Sequence, residues 1–136
     1  MTATSAFTWP VRVYWEDTDA GGIVFYANYL KFFERARTEW LRSLGIGQAD
    51  LRERSGGMFV VSETSVRYVA PARLDDELCV TARLHERGRA SLVIAQEATR
   101  AGTVLAQGTI RIGWVDAASL RPGRIPPDIL QVLAPT

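Results

Sequence analysis

Residues 17–45 read DTDAGGIVFYANYLKFFERARTEWLRSLG, and a change of period inside this stretch decides the architecture. Asp17-Thr18-Asp19-Ala20-Gly21-Gly22 is a cluster of turn formers holding two carboxylates and two glycines. It is too poor in β-branched residues to extend a strand, so the chain changes direction here. From Ile23 or Tyr26 to Leu44 the period becomes helical: Tyr26, Leu30, Phe33, Arg37, Trp40, Leu41 and Leu44 fall at spacings of three and four, and Gly45 is a natural stop. Residues 26–44 would rise about 28 Å as an α-helix. The opposite face still carries Tyr29, Phe32 and Ala36 beside Lys31, Glu34, Arg35 and Glu39, so this helix needs apolar cover on more than one side.

Working outward, Trp9–Glu16 alternates Val11, Val13 and Trp15 with Arg12, Tyr14 and Glu16, the period of a half-buried strand. Beyond the long helix, a short helical stretch from Gln48 to Arg54 ends at Ser55-Gly56-Gly57. Strand signal then dominates: Met58–Val69, interrupted at Pro71, then Glu77–Glu86, Arg89–Arg100 and Thr103–Val115. Glu86-Arg87-Gly88-Arg89 and Arg100-Ala101-Gly102-Thr103 are short glycine-containing connections, which predicts antiparallel hairpins and a meander. Pro122, Pro126 and Pro127 end the sheet, and Asp128–Leu133 suits a last helical turn or two. The inventory is α+β: one long central helix wrapped by a curved antiparallel sheet of about five strands. A doubly wound α/β fold is excluded. Such a sheet leaves edge strands with unpaired backbone groups, so a homo-oligomer is expected, built by continuing the sheet across a two-fold axis.

A chain of 136 residues is the usual size of one domain, 1–136, with room for a single core. A net charge of +1, with 47% hydrophobic and 23% charged residues, argues against disorder and against a basic nucleic-acid surface. The longest apolar run is Ile23–Ala27, and Met1–Pro10 has neither a basic start nor an apolar signal region. A transmembrane segment is therefore not expected, and a cytoplasmic location is. The single cysteine, Cys79, and single histidine, His85, rule out an intrachain disulfide and a His/Cys metal cluster. Both lie on one predicted strand about 20 Å apart, too far for a Cys-His nucleophile. Cys79 is expected to be an inert packing residue and His85 a surface residue at a strand end.

The place for chemistry is the junction of the acidic turn with the long helix. Unpaired N–H groups and the positive end of the helix dipole point there, ready to polarise a carbonyl, and Asp17 or Asp19 supplies a carboxylate within one turn. An aspartate before a helix also serves as a cap or turn former. Gly21 and Gly22 permit close backbone approach to a ligand as well as bending.

The run from Tyr14 to Arg37 resembles the signature of hot-dog-fold acyl-CoA thioesterases, in the Tol-Pal-associated, YbgC-like branch of the 4-hydroxybenzoyl-CoA thioesterase family. Tyr68-Val69-Ala70-Pro71-Ala72-Arg73-Leu74-Asp75-Asp76, Arg89-Ala90-Ser91-Leu92-Val93 and Arg121-Pro122-Gly123-Arg124-Ile125-Pro126 extend the likeness over nearly the whole chain. The resemblance implies a long helix held in a sheet, dimerising through the sheet. It places the catalytic aspartate on Asp19 and the carbonyl-polarising amide on Tyr26, with Gly21, Gly22, Ile23 and Val24 shaping the substrate site. Ala20 and Ala27 stand where the 4-hydroxybenzoyl-CoA enzyme has prolines, so aromatic selectivity is not implied.

The expected reaction is hydrolysis of an acyl-CoA or acyl-carrier-protein thioester, with Asp19 as nucleophile through a mixed anhydride or as general base for water. No separate cofactor is expected, coenzyme A being part of the substrate. It would lie in a groove between subunits of a homodimer or homotetramer, its phosphates near arginines such as Arg73, Arg87 or Arg89. A hot-dog hydratase would need an acid and a histidine close together, and His85 is predicted on another strand. The rival outside enzymology is a non-catalytic acyl-CoA or acyl-carrier-protein binding subunit, in which Asp19 is only a cap.

Overall fold

The computed structural model describes residues 6–133; the expected domain, 1–136, extends past them into residues 1–5 and 134–136, which lie outside the described residues. Strand β1 (Phe7–Arg12) is followed by helix α1 (Tyr29–Ser43), helix α2 (Gln48–Ser55), strands β2 (Gly57–Tyr68), β3 (Glu77–Arg87), β4 (Ser91–Arg100) and β5 (Thr103–Asp116), and helix α3 (Pro127–Val132). One five-stranded sheet has the order β1-β3-β4-β5-β2, with every neighbouring pair antiparallel. The two glycine connections make hairpins, so β3, β4 and β5 form a meander as expected. The meander does not extend to β2, which pairs with β5 instead of β3. The segment around Pro71 carries the chain from one side of the sheet to the other, past the start of α1 (Val24 N–H to Ala72 O, 2.9 Å).

The sheet wraps α1. Leu78, Val80 and Ala82 of β3, Leu92, Ile94 and Ala98 of β4, and Leu105, Ile110 and Ile112 of β5 are buried, the period of two of strands with one face on a core. Against them α1 buries Tyr29, Phe32, Phe33, Ala36, Arg37, Trp40 and Leu41. Phe32 and Phe33 are wholly inaccessible, each removal from water contributing about 1.5–3 kcal/mol. The helix ends where Gly45 takes φ +84°, left-handed backbone that favours glycine. Both stripes predicted for it are used, but Tyr26 and Leu30 are exposed. Tyr26 lies in the 3-10 turn that precedes the helix, and Leu30, although on the same side as Arg37 and Leu41, sits in its first turn.

A polar link also ties helix to sheet. The buried Arg37 guanidinium donates to Gln96 Oε1 (3.1 Å), and Gln96 Nε2 donates to the carbonyls of Phe33 (2.9 Å) and Thr81 (3.1 Å). Burial lowers the basicity of Arg37.

Two other expectations are corrected. The first strand stops at Arg12, and Trp15–Asp17 is a 3-10 turn, so Val11 and Val13 are buried while Trp15 is 79% exposed. Cys79 is exposed rather than packed, because its neighbours Leu78 and Val80 take the inward positions of β3. His85 is an exposed strand residue, as expected.

At the start of β2, Gly57 lies under the Trp114 ring. A Cβ there would collide with the Trp114 indole at Cζ2. Gly57→Ala should destabilise the fold by about 1–3 kcal/mol through overpacking, read as a lower urea midpoint with an unchanged slope.

Candidate active site

The acidic turn is closed by its own backbone. Asp19 N–H donates to Ile23 O (2.9 Å) and Gly22 N–H to Asp19 O (3.0 Å), while Gly22 adopts φ +79°. Thr18 and Val24 form an antiparallel bridge across it. Ile23 and Val24 then lead into a 3-10 turn, Tyr26–Asn28, that continues as α1.

Within this frame the two aspartates have different surroundings. Asp17 is 3% exposed. Its Oδ2 accepts the Tyr14 amide (2.8 Å), its Oδ1 accepts Asn28 Nδ2 (2.6 Å), and its backbone carbonyl accepts the Phe25 amide (2.9 Å). It joins the exit of β1, the turn and the helix start, and its carboxyl is consumed in doing so. Asp19 is exposed, and its side chain receives one bond, from the Gly21 amide to Oδ1 (2.8 Å). A Cβ on Gly21 would lie 3.2 Å from that oxygen, so the glycine leaves room around the carboxylate.

The helix start supplies donors. The amides of Val24 and Phe25 are engaged, but among the described residues those of Tyr26 and Ala27 find no acceptor. Beside them is a cavity of about 240 Å³ lined by Ile23, Val24, Tyr26, Tyr29, Tyr68, Val69, Ala70 and Pro71. Its walls are mostly apolar, the usual character of a site for an organic ligand. Asp19, paired through its backbone to Ile23, stands beside one wall. A larger hollow of about 410 Å³ lies on the outer face of the sheet among Ser65, Arg67, Thr81, Arg83, Gln107 and Thr109, with no helix start beside it.

Of the sequence-derived site residues, the structure brings together Asp19, Gly21, Gly22, Ile23, Val24 and Tyr26. Arg73 is close, its backbone bridging Ile23. Arg87 and Arg89 are not: Arg87 is the last residue of β3, which begins at Glu77, opposite Arg12. Ten strand steps separate the two ends by about 33 Å. Arg87 also donates to Leu130 O (2.7 Å) at the opposite end of the molecule.

Three further groups complete the site: Tyr68 and Asp76, to which sequence reasoning gave no role, and Tyr29, which it read as a core aromatic or a wall of the acyl pocket. Tyr68, at the end of β2, donates its hydroxyl to Tyr26 O (2.8 Å). Tyr29 accepts the Ala72 amide (3.2 Å) and packs edge-on to Tyr68, ring centroids 5.5 Å apart. Desolvation raises the pKa of the buried Tyr29 hydroxyl and, in the same direction, that of the partly exposed Tyr68. Asp76 takes the Arg73 amide (2.8 Å) and Arg100 Nη1 (2.7 Å), fixing the segment that forms the cavity rim. Burial opposes the charge of Asp76, but those two bonds and the charges of Arg100 and Arg73 outweigh it and hold its pKa below the usual carboxylate range. Tyr68 and Asp76 both lie in the 68–76 segment that carries part of the family likeness, the one signal that pointed to them.

A family model described as the thioesterase-like superfamily matches residues 13–133. The chain belongs to that superfamily. The helix in its curved sheet is the hot-dog fold, and with the curated relatives that follow the chain is a thioester hydrolase. The acyl-CoA thioesterase YbgC of Haemophilus influenzae is 41% identical over 125 residues, covering 92% of each chain. The acyl-CoA thioester hydrolase YbgC of Escherichia coli is 43% identical over 129 residues, covering 93% of this chain and 95% of its own. Among solved structures, a hypothetical protein from Thermus thermophilus superposes with a TM-score of 0.88 at 29% identity, over 95% of this chain and 97% of that one.

The structural role of Asp17 is open to test. Asp17→Ala leaves the buried Asn28 side-chain amide without its acceptor, and should cost about 2 kcal/mol in chemical denaturation.

Proposed function

We propose that the protein hydrolyses acyl-CoA or acyl-carrier-protein thioesters to a carboxylic acid and free thiol. The observation that carries this reading is the division of labour between the two aspartates: one buried and fully bonded, the other exposed beside an apolar cavity at a helix start with free amides. Asp19 attacks the thioester carbonyl, expelling the thiolate to leave a mixed anhydride that water hydrolyses, or it takes a proton from the water that attacks directly. Both routes place negative charge on the carbonyl oxygen. The Tyr26 and Ala27 amides are suited to receive it, each well-placed donor lowering the barrier by about 3 kcal/mol. The acyl group would occupy the cavity walled by Tyr26, Tyr29, Tyr68 and Val69.

The proposed assembly is a homodimer joined at β2. The other edge, β1, is six residues long and carries Pro10, which blunts it for pairing. Strand β2 has twelve residues, no proline, and Val61 52% exposed. An antiparallel β2–β2 pairing sets the Gly57 end of one copy against the Tyr68 end of the other. The β3–β4 hairpin lies at the Gly57 end, since Ser91 is in register with Gly113 and Gly113 with Val60. Arg87 and Arg89 of the second copy would then stand at the first copy's site, where with Arg73 they could hold the phosphates of coenzyme A. A cytoplasmic enzyme remains the expectation, and no helix among the described residues is long and apolar enough to cross a membrane.

Thiol release should be followed with a chromogenic reagent on acetyl-, isobutyryl-, lauroyl- and benzoyl-CoA. Wild type should hydrolyse at least one, and Asp19→Asn should bind it while releasing no thiol; undiminished turnover in that variant removes Asp19 from the chemistry. Binding by wild type without thiol release from any thioester would support the binding-subunit alternative. In light scattering the particle should weigh at least about twice the chain's 15.1 kDa, and a monomer would overturn the shared groove.

A further inference from the structure

The helix start has two consecutive peptide units whose N–H groups are free, and each has its carbonyl held by a separate donor. The Phe25 carbonyl, in the same planar unit as the Tyr26 amide, accepts the Asn28 N–H (2.8 Å), a bond local to the turn. The Tyr26 carbonyl, in the same unit as the Ala27 amide, accepts the hydroxyl of Tyr68 (2.8 Å), which is 42 residues away along the chain. A peptide is rigid, so a hydrogen bond on its oxygen also fixes the direction of its N–H. It polarises the unit as well, making that N–H a stronger donor.

Tyr68 is itself held in place for this. Its ring meets Tyr26 edge-on at 6.2 Å and Tyr29 at 5.5 Å between centroids. Its backbone is the last residue of β2, in register with Ala106 of β5, so the hydroxyl is aimed by the sheet. Its ring lines the cavity, but nothing in packing alone requires the phenolic oxygen. A phenylalanine would fill the same wall.

We infer that Tyr68 is a positioning residue for thioester hydrolysis: its hydroxyl fixes and polarises the Tyr26–Ala27 peptide, aiming the Ala27 amide at the developing oxyanion. This rests on the reading that the helix-start amides polarise the substrate carbonyl. Tyr68 neither gives nor takes a proton in the reaction, and its effect belongs to the transition state, where charge on the carbonyl oxygen is greatest.

The test is Tyr68→Phe, assayed on whichever of the four acyl-CoAs above wild type hydrolyses fastest. The expected result is a fall in kcat of about tenfold, smaller than the ~100-fold or more for losing an oxyanion donor itself, with KM changed less than about twofold. The second readout is the thioester carbonyl stretch of that substrate bound to the Asp19→Asn protein, by difference Raman spectroscopy. Adding Tyr68→Phe should move the band back toward its position in free substrate. This signal comes only from occupied, folded sites, so it separates loss of polarisation from loss of folded protein. A raised KM with kcat and the carbonyl band unchanged would make Tyr68 a cavity wall and overturn the inference. Wild type without activity on any thioester would overturn the underlying reading, and a band unshifted by binding to Asp19→Asn alone would remove the amides from the mechanism.

Discussion

The buried carboxyl of Asp17 is the point on which the rest of the site depends. A polar group taken out of water is costly unless its hydrogen bonds are remade, and here they are remade by the Tyr14 amide and the Asn28 side chain. Those partners lie on opposite sides of the turn. Satisfying one buried group therefore fixes where β1 stops, how the turn is folded and where the long helix begins. The carbonyl of the same residue takes the Phe25 amide, so the next free donors are those of Tyr26 and Ala27. The free amides at the helix start and the exposed Asp19 are both consequences of how Asp17 is buried.

The second constraint is the seat of the helix in the sheet. Phe32, Phe33 and Ala36 occupy the centre of the curved inner face, and the Arg37–Gln96 link adds direction to what apolar contact leaves free to slide. Once the helix is seated, its first turn lies beside the end of β2, and Tyr68 reaches the Tyr26 carbonyl. The long strand that carries Tyr68 is also one of the two open edges of the sheet. The cavity and an open sheet edge thus share one strand, and a subunit interface built on β2 would lie against the site.

Much of the fold was legible because periodicity is local. The helix and every strand could be read from apolar spacing over a dozen residues, and Gly45 and the two glycine connections marked their ends. The misreadings have local causes too. Trp15 continued an alternation that the Asp17 turn had already ended, and Tyr26 and Leu30 kept the helical spacing but lie at the entrance of the helix, where they are exposed. Cys79 was legible after all: between Leu78 and Val80 on a two-residue period, it had to face outward. The pairing of β2 with β5 was not, since strand order depends on how the chain crosses the helix near Pro71.

By itself the sequence determined the element types, the reversal at residues 17–22 and the presence of two acids before a long apolar helix. Steric preference and burial periodicity act over a few residues, and those residues are contiguous. The family likeness singled out Asp19, but what leaves that acid free and ties up Asp17 was decided only by the tertiary structure. Asp17 and Asp19 are two positions apart in similar company, and they differ only in what the fold brings against them: an asparagine eleven residues on and an amide three residues back. The same holds for Tyr68, whose hydroxyl meets the helix start because the sheet closes around it, a contact no local pattern encodes.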